Sequence, residues 1–323
     1  MAITLAEAKV GMTNKIDIAV IDEFRRESFL LDSLIFDDMI SPGTGGSTLG
    51  YSYLQMLTPS SAGTRKINEE YKSSEAKKTK KNTEAVIFGG KFQLDRVIMK
   101  TSGALAEEDF QLREKIKATR NEIHNTIVNG NSADEGNGVL ETFDGLDKLL
   151  TGSENEIESD LDISTSKLLD DNYNELLDTM DEFSKNINGN ITMYLTNKKM
   201  ATKLSSAARR AGYFSQSEDA FGKTVENYNK VAIIDAGQYY NSETGKTEDV
   251  IPVDENGKTD IYAFEIGLDA LHGISPDGSS MIETFLPNPK DPGAVKDGEV
   301  EIIMGIALKN TKKAGVLRGI KVA

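Results

Sequence analysis

The alternation of apolar and polar residues predicts a long hairpin followed by one long helix. Residues 51–57 and 83–99 have the pattern of strands, and the segment between them, 58–82, is polar and rich in lysine. The next segment, Ala104–Asn129, is predicted to be a helix of about seven turns. Because an isolated two-stranded ribbon is only marginally stable in water, this hairpin needs another surface. The layout therefore favours assembly with neighbouring copies over catalysis.

Apolar residues occupy the even positions of the second predicted strand and so form one face, which includes Phe88 and Phe92. Gly89–Gly90 interrupts this strand and predicts a bulge or a bend. The helix carries one continuous apolar stripe. Its members are Leu105, Leu112, Ile116, Ile123 and Ile127. His124 lies one residue off the stripe, which is typical of a histidine that is satisfied within the fold rather than of a metal ligand.

The rest of the chain mixes helices and strands without regular alternation. Two further helices are predicted, at residues 171–187 and at Lys198–Ala211, the second ending at Gly212. The predicted strands are 191–195, 231–234, 261–266, 299–307 and 315–322. A hairpin turn is predicted at Asn256–Gly257. This order indicates the α+β fold class.

The net charge of −15 is unevenly distributed along the chain. Residues 64–100 contain 10 basic and 5 acidic residues, whereas residues 134–182 contain 16 acidic and 2 basic residues. Either both segments are simply solvated, or the basic hairpin of one copy lies on the acidic region of another, since charge complementarity orients docking. The acidic total is not typical of a protein that reads nucleic-acid sequence.

The composition excludes several kinds of chemistry. The 323 residues contain no cysteine and only two histidines, so disulfides, thiolate nucleophiles and cysteine-ligated zinc are excluded. The most apolar stretch, 302–308, is far shorter than the roughly 20 residues of a membrane span. The N-terminal residues lack the pattern of a secretory signal. We expect a soluble protein that is made in a cytoplasm and has no membrane partner.

Motifs for catalysis or cofactor binding do not reach their full patterns. Residues 222–224 and 245–247 both read Gly-Lys-Thr, but neither has the earlier glycine of a phosphate-binding loop. Residues 254–260 lack the late glutamate of a calcium loop, so a plain turn is favoured. The carboxylates of 154–162 are more typical of a surface cluster than of an acid–base pair. We therefore expect no enzyme, no cofactor and no metal site.

The order of elements resembles that of the major capsid proteins of tailed bacteriophages, the Hong Kong 97 phage-type shell fold. The resemblance is carried by the long hairpin, by the helix Ala104–Asn129 and by a strand–asparagine–helix unit at 191–212, ITMYLTNKKMATKLSSAARRAG. It is also carried by the closing segment 299–322, which resembles the last peripheral strands of that family. It covers nearly the whole chain and rests on order and pattern rather than on a sharp motif.

This resemblance implies a division into four parts. Residues 1–40 would be an N-terminal arm and residues 41–100 an extended loop. Residues 101–145 and 285–323 would form a peripheral domain containing the long spine helix, and residues 146–284 an axial domain.

The resemblance also implies a function. Copies of the chain would assemble into hexamers and pentamers of an icosahedral head shell that encloses double-stranded DNA without reading its sequence. A separate scaffolding protein, a portal and decoration proteins are the implied partners. The virion would be the location, after assembly in the cytoplasm of a bacterial host. An encapsulin-type nanocompartment shell remains an alternative, as does a phage structural or binding module that forms no shell.

Contacts between subunits are expected in the arm, in the lysine-rich part of the loop and on the apolar face of its second strand. The residues are Arg25, Arg26, Arg65, Lys66, Lys77, Lys78, Lys80, Lys81, Phe88 and Phe92.

Overall fold

The computed structural model describes residues 28–39, 49–97, 104–134, 142–212, 215–218, 224–242, 244–276, 282–288 and 292–323. Five α-helices lie in these ranges. They are α1 (Phe29–Ser33), α2 (Ala104–Asn129), α3 (Leu146–Leu150), α4 (Ser166–Asn186) and α5 (Lys198–Ala211). Short 3-10 turns lie at Ser132–Asp134 and Thr311–Lys313. None of the helices in these ranges is long and apolar enough to cross a membrane.

Sixteen strands lie among the helices in the described ranges, and their irregular order along the chain confirms the α+β class. The strands are β1 (Phe36–Asp38), β2 (Gly50–Thr58), β3 (Lys77–Glu84), β4 (Val86–Asp95), β5 (Glu156–Glu158), β6 (Met193–Thr196), β7 (Ser215–Glu218), β8 (Thr224–Tyr228), β9 (Val231–Asp235), β10 (Gln238–Asn241), β11 (Lys246–Asp249), β12 (Lys258–Phe264), β13 (Leu271–Ser275), β14 (Ile282–Phe285), β15 (Val295–Leu308) and β16 (Ala314–Lys321).

Two large sheets and two ribbons organise these strands. In the five-stranded sheet the order is β1-β13-β15-β14, and β4 also pairs with the long strand β15. The seven-stranded sheet has the order β5-β16-β12-β6-β9-β8-β7. The β10–β11 ribbon packs beside α2, whereas the β2–β3 ribbon is the long hairpin.

Helix α2 covers one face of the five-stranded sheet, as its apolar stripe predicts. The helix has the predicted bounds, and Leu112, Ile116, Ile123 and Ile127 are buried. The side chain of Leu105 lies outside the described part of the chain. Phe88, Phe92 and Leu94 of β4 belong to the same core cluster as this stripe. Burying a side chain of this size contributes about 1.5–3 kcal/mol, so the contact holds α2 and β4 together.

The end of α2 is set by a close approach of two chain segments. The helix ends at Asn129, as predicted, and the amide of Gly130 donates to the carbonyl oxygen of Thr126 (2.9 Å). A Cβ atom at Gly130 would lie 2.3 Å from the carbonyl oxygen of Phe143. Glycine is required here because backbone passes against backbone, not because of a left-handed conformation.

His124 of α2 joins three parts of the chain. Its Nε2 atom lies 2.6 Å from Ser28 Oγ, at the start of α1, and its ring also bonds the backbone of Ala236. Burial, reinforced by the nearby Arg120, lowers the pKa of His124 from its ordinary value of 6.5 to about 4. The prediction that His124 finds its hydrogen-bond partners within the fold is therefore confirmed.

Helices α4 and α5 cover the seven-stranded sheet on the side away from α2. Met180 and Phe183 of α4 pack with Met200 and Leu204 of α5 and with strand residues in a second core cluster. Asn197 begins α5, because its side chain accepts a hydrogen bond from the amide of Met200 (2.9 Å). The predicted strand–asparagine–helix unit is thus present, and α5 ends at Gly212 as predicted.

The pairing of the hairpin differs from the prediction. Strand β2 pairs with β3, which contains the lysine run, so the prediction that these lysines lie in a loop tip is wrong. Strand β4 pairs instead with β15 over its whole length. Lysine has a low strand preference, but the ladder hydrogen bonds and cross-strand contacts with β2 offset that weak preference.

The predicted interruption at Gly89–Gly90 is also wrong. The register between β4 and β15 is continuous from Val86↔Met304 to Asp95↔Val295. A Cβ atom at Gly89 would lie 2.3 Å from the carbonyl oxygen of Val300. The glycine accommodates a close approach of the paired strand rather than a bend.

The last two strands lie in different sheets, so the prediction that they close one sheet together is wrong. Strand β15 is central to the five-stranded sheet, while β16 pairs with β12 and β5 in the seven-stranded sheet. The second half of β15 and most of β16 are apolar and buried, and such runs do not reveal from sequence which sheet they join.

Candidate assembly surfaces

The β2–β3 ribbon and the loop at its end form an exposed, basic projection. Lys77, Lys78, Lys80 and Lys81 are all exposed on β3, and every described residue from 58 to 78 is exposed as well. Four lysines within five residues repel one another, and no surface within the described ranges covers them. The ribbon therefore presents a strong positive charge to its surroundings.

One face of this ribbon combines lysines with apolar side chains, and we call it the basic ribbon face. Leu54 lies opposite Lys80, and Met56 lies opposite Lys78. Leu54 is 61% exposed and Met56 is 66% exposed. Ser52 continues this face and donates a hydrogen bond to Asn82 (2.8 Å). Paired apolar side chains left open to water on an ordered ribbon are typical of a surface that another protein covers.

The loop at the end of the ribbon, residues 59–76, carries its own exposed apolar groups. Ile67 is 91% exposed and Tyr71 is 64% exposed. Arg65, a predicted contact residue, lies over the Tyr71 ring with its guanidinium carbon 5.4 Å from the ring centroid. Lys66 is exposed beside it. The tip is thus ordered locally by a cation–π contact.

Two other predicted contact pairs have a different outcome. Phe88 and Phe92 are only 7% and 5% exposed and lie in the core of the chain itself, against α2. The prediction that they contact another subunit is therefore wrong, because the apolar face of β4 is already covered by the helix. Arg25 and Arg26 lie outside the described residues.

Part of the acidic segment predicted to receive the hairpin, the run 154–162, is paired within the chain. Four carboxylates of this run pair with basic residues near the C-terminus and in β12. The pairs are Glu154–Lys312 (3.0 Å), Glu156–Arg318 (2.5 Å), Asp160–Lys258 (2.9 Å) and Asp162–Lys321 (3.0 Å). These carboxylates are therefore poor candidates for a neighbour's lysines. No group of three or more histidine, aspartate or glutamate residues could hold a metal ion within the described ranges.

A second acidic surface lies on the face of the five-stranded sheet opposite α2, and we call it the acidic sheet face. Glu283 of β14 lies directly opposite Glu301 of β15, and Glu299 lies opposite Phe285 on one side and Lys91 on the other. Phe285 is 50% exposed. Like charges opposite each other destabilise a strand pair. A cation from outside the chain would relieve this repulsion.

Within this face Asp297 forms an ion pair. Lys91 Nζ lies 2.8 Å from Asp297 Oδ2, and Gln93 donates to Asp297 Oδ1 (2.8 Å). These bonds lower the pKa of the Asp297 carboxyl below its ordinary value. Glu283, Glu299 and Glu301 form no ion pair with any residue in the described ranges. Glu299 shares the charge of Lys91 with Asp297, whereas Glu283 and Glu301 have no cationic partner within the described ranges. These glutamates and the exposed Phe285 complement the basic ribbon face in both charge and apolarity.

The root of the hairpin covers the other end of the same sheet face. Tyr53 packs with Ala85, Ile274 and Ala307, and Tyr51 packs at the edge of this small cluster. The hydroxyl of Thr83 donates to the carbonyl oxygen of Ile306 (3.1 Å). The hairpin is thus anchored to its own sheet at the root and uncovered over the rest of its length.

Comparisons with known proteins bear on the fold. No protein-family model and no curated protein sequence matches the chain. Solved structures do match. The holo-SrpI encapsulin complex from Synechococcus elongatus PCC 7942 has a TM-score of 0.55 and 13% identity, covering 99% of this chain and 96% of that chain. The capsid of Myoviridae phage XM1 has a TM-score of 0.53 and 11% identity, and the match covers 90% of this chain and 91% of the capsid chain. The structure from Mycobacterium phage Bobi has a TM-score of 0.53 and 12% identity, and the match covers 91% of this chain and 90% of the matched chain.

These likenesses extend over nearly the whole chain and over nearly the whole of each matched chain. The chain therefore has the Hong Kong 97 phage-type shell fold, as predicted. At 11–13% identity the likeness establishes the fold alone.

Proposed function

We propose that the chain is the structural major capsid protein of a tailed bacteriophage. Copies assemble into hexamers and pentamers of an icosahedral head shell that encloses double-stranded DNA. The observation that carries this proposal is the long ribbon of a shell fold, whose basic, partly apolar face is left uncovered by the described part of the chain. A two-stranded ribbon in this state gains stability only when another surface covers it.

The acidic sheet face of a second copy is the surface that fits the basic ribbon face. Lys78 and Lys80 lie two residues apart on β3, and Glu299 and Glu301 lie two residues apart on β15. Both pairs therefore repeat at the same distance, about 7 Å along an extended strand. Two ion pairs can form in register, while Leu54 and Met56 cover exposed apolar surface such as Phe285.

The two sheets define the proposed domains. The five-stranded sheet with α2 forms the peripheral domain, for which residues 101–145 and 285–323 were predicted, and the seven-stranded sheet with α4 and α5 forms the axial domain, predicted at 146–284. Strands β13 and β14 add to the first domain, and β16 adds to the second. The arm at 1–40 and the extended loop at 41–100 reach neighbouring subunits.

Other partners follow from the shell role. A separate scaffolding protein guides assembly, a portal occupies one vertex, and decoration proteins bind the outer surface. The net charge of −15 limits adhesion of the shell to the DNA that it encloses, so the DNA is held by confinement rather than by sequence-specific contacts. The protein is located in the virion after assembly in the host cytoplasm.

Deletion of residues 58–82 tests the role of the ribbon. The body of the fold does not depend on this segment, because β4 pairs with β15 rather than with the ribbon. We expect the deleted chain to remain folded, with a circular dichroism spectrum and a thermal transition close to those of the full chain, and to form no shells by negative-stain electron microscopy. Normal particles from the deleted chain would contradict the proposal.

One alternative has a specific observation in its favour. The likeness to the holo-SrpI encapsulin complex covers 99% of the chain, so a nanocompartment that encloses protein is the second candidate function. The contents of purified particles separate the two functions. An absorbance ratio at 260 and 280 nm typical of nucleic acid supports the phage head, whereas a ratio typical of protein supports the nanocompartment. A mass of one to three subunits at high concentration would instead favour a binding module that forms no shell.

A further inference from the structure

A histidine lies directly beneath the root of the hairpin. His272 of β13 is fully buried, and its strand partner is Ala307, which the hairpin root covers. The Tyr51 ring stands edge-on to the imidazole, with the ring centroids 5.8 Å apart. Because Tyr51 belongs to the first strand of the ribbon, this contact couples His272 to the position of the hairpin.

The hydrogen bonding of His272 suits only the neutral imidazole. Nδ1 lies 3.4 Å from the carbonyl oxygen of Ala270, a long contact that a single N–H can make. Nε2 is buried and has no hydrogen-bond partner in the described part of the chain. Protonation would place a second N–H, with a positive charge, where no acceptor is present. A buried donor without an acceptor is strongly unfavourable.

The charged groups around the imidazole do not compensate a proton on it. Asp37 of β1 is engaged twice: it accepts a hydrogen bond from the Tyr51 hydroxyl (2.6 Å) and lies 3.7 Å from Lys309 Nζ. Lys309, just after β15, also lies 5.3 Å from the Tyr51 ring centroid and repels a second positive charge.

The remaining titratable groups near the root are engaged or directed elsewhere. Asp269, which precedes β13, pairs with Lys313 (2.7 Å). Asp38 of β1 is exposed. The Tyr53 hydroxyl bonds the backbone of Leu308. None of these described carboxylates is therefore free to form an ion pair with a protonated His272 while the hairpin root lies on the sheet.

We propose that His272 is a proton-sensitive latch that holds the hairpin root on the sheet when neutral and releases the hairpin when protonated. The latch would regulate the position of the hairpin. It rests on the proposed function only because that function makes the hairpin the element that docks on a neighbour. Release would let the ribbon change direction relative to its own sheet, as a subunit must when it engages a neighbour at a different angle.

The direction of the response follows from burial. Burial, and after it the charge of Lys309, lowers the pKa of His272 below its ordinary value of 6.5. The closed root therefore binds a proton more weakly than the open root does. As the pH falls below about 6.5, the equilibrium shifts towards the open root. At neutral pH and above, the latch is closed.

A spin-label distance measurement tests the latch. The chain contains no cysteine, so Lys77→Cys at the end of the ribbon and Lys117→Cys on α2 supply a unique pair of labelling sites. Pulsed electron spin resonance is recorded from pH 8 to pH 4.5 on the full chain, diluted with unlabelled protein so that only distances within one copy contribute. We expect a narrow distance distribution at pH 8 that broadens or shifts in acid.

Two histidine variants identify the group responsible, because His124 and His272 are the only histidines. His272→Phe should keep the narrow distribution in acid, and His124→Gln should respond as the parent does. Equal acid responses of the parent and His272→Phe would overturn the latch. If His272→Phe does not fold, Tyr51→Phe supplies the test: loss of its bond to Asp37 should move the transition to higher pH, and an unchanged transition would contradict the proposal. Neither readout requires shells, so failure of the latch is distinguishable from failure of the proposed function.

Discussion

Reversing the charge of the basic ribbon face should prevent assembly without unfolding the chain. The double variant Lys78→Glu, Lys80→Glu places negative side chains at two exposed positions of β3. Folding should be unaffected, since exposed substitutions of this kind usually change stability by at most about 0.5 kcal/mol. Docking onto Glu299 and Glu301 should be strongly affected.

The size of the effect can be estimated from the register of the two strands. Each exposed lysine–glutamate pair contributes about 0.5 kcal/mol, and reversal replaces that attraction with a repulsion of similar size. Two positions then change the docking free energy by about 2 kcal/mol, which is roughly a 30-fold loss of affinity at each contact. In a ring of six subunits the contact recurs at every interface, so the summed change in docking free energy approaches about 12 kcal/mol.

Sedimentation velocity and negative-stain microscopy measure this effect, with the reversal Lys198→Glu, Lys199→Glu as the matched control. Those two lysines are equally exposed, lie in the first turn of α5 and give the same change in net charge. The ribbon variant should lose rings and shells while the control retains them. Glu299→Lys, Glu301→Lys combined with the ribbon variant should restore assembly. Intact shells from the ribbon variant, or equal losses in both reversals, would refute the docking surface.

Two further predictions concern the stability of the chain. Gly212 and Gly257 both have positive φ (+76° and +79°), but a Cβ atom at Gly212 meets nothing within 4 Å, whereas one at Gly257 would lie 1.9 Å from the carbonyl oxygen of Ala323. In urea unfolding, Gly212→Ala should lower the free energy of unfolding by about 1 kcal/mol, and Gly257→Ala should lower it by at least about 2 kcal/mol. Equal decreases would contradict the effect of the contact with Ala323. The pKa of His124 is lowered to about 4, so the native state binds a proton at this residue more weakly than the unfolded state does. The free energy of unfolding should therefore keep the full contribution of His124 above pH 6.5 and fall by up to about 3 kcal/mol towards pH 4. His124→Gln should lack this part of the pH dependence, and an unchanged pH profile would show that the bond to Ser28 is not formed by a neutral imidazole.

Sequence patterns were sufficient where one local rule determined the outcome. The apolar stripe of α2 predicted its bounds, because only a continuous helix places residues at these spacings on one face. Asn197 and Gly212 marked the two ends of α5 in the same way, through a cap and a left-handed terminal residue.

Sequence patterns were insufficient where pairing between distant strands decided the outcome. The lysine run gives no strand signal, and its ladder with β2 depends on residues 19 to 28 positions away. The acidic sheet face brings together Glu283, Glu299 and Lys91 from three strands, so no local charge count could reveal it. The acidic run at 154–162 was the more visible candidate, yet basic residues of β12 and the C-terminal segment neutralise much of it.

The most direct test of the shell assignment is negative-stain electron microscopy of the purified full-length chain, alone and co-expressed with a scaffolding protein. We expect closed shells, tubes or rings of five and six subunits. Compact monomers under every condition would contradict the assignment of this chain as a shell protein.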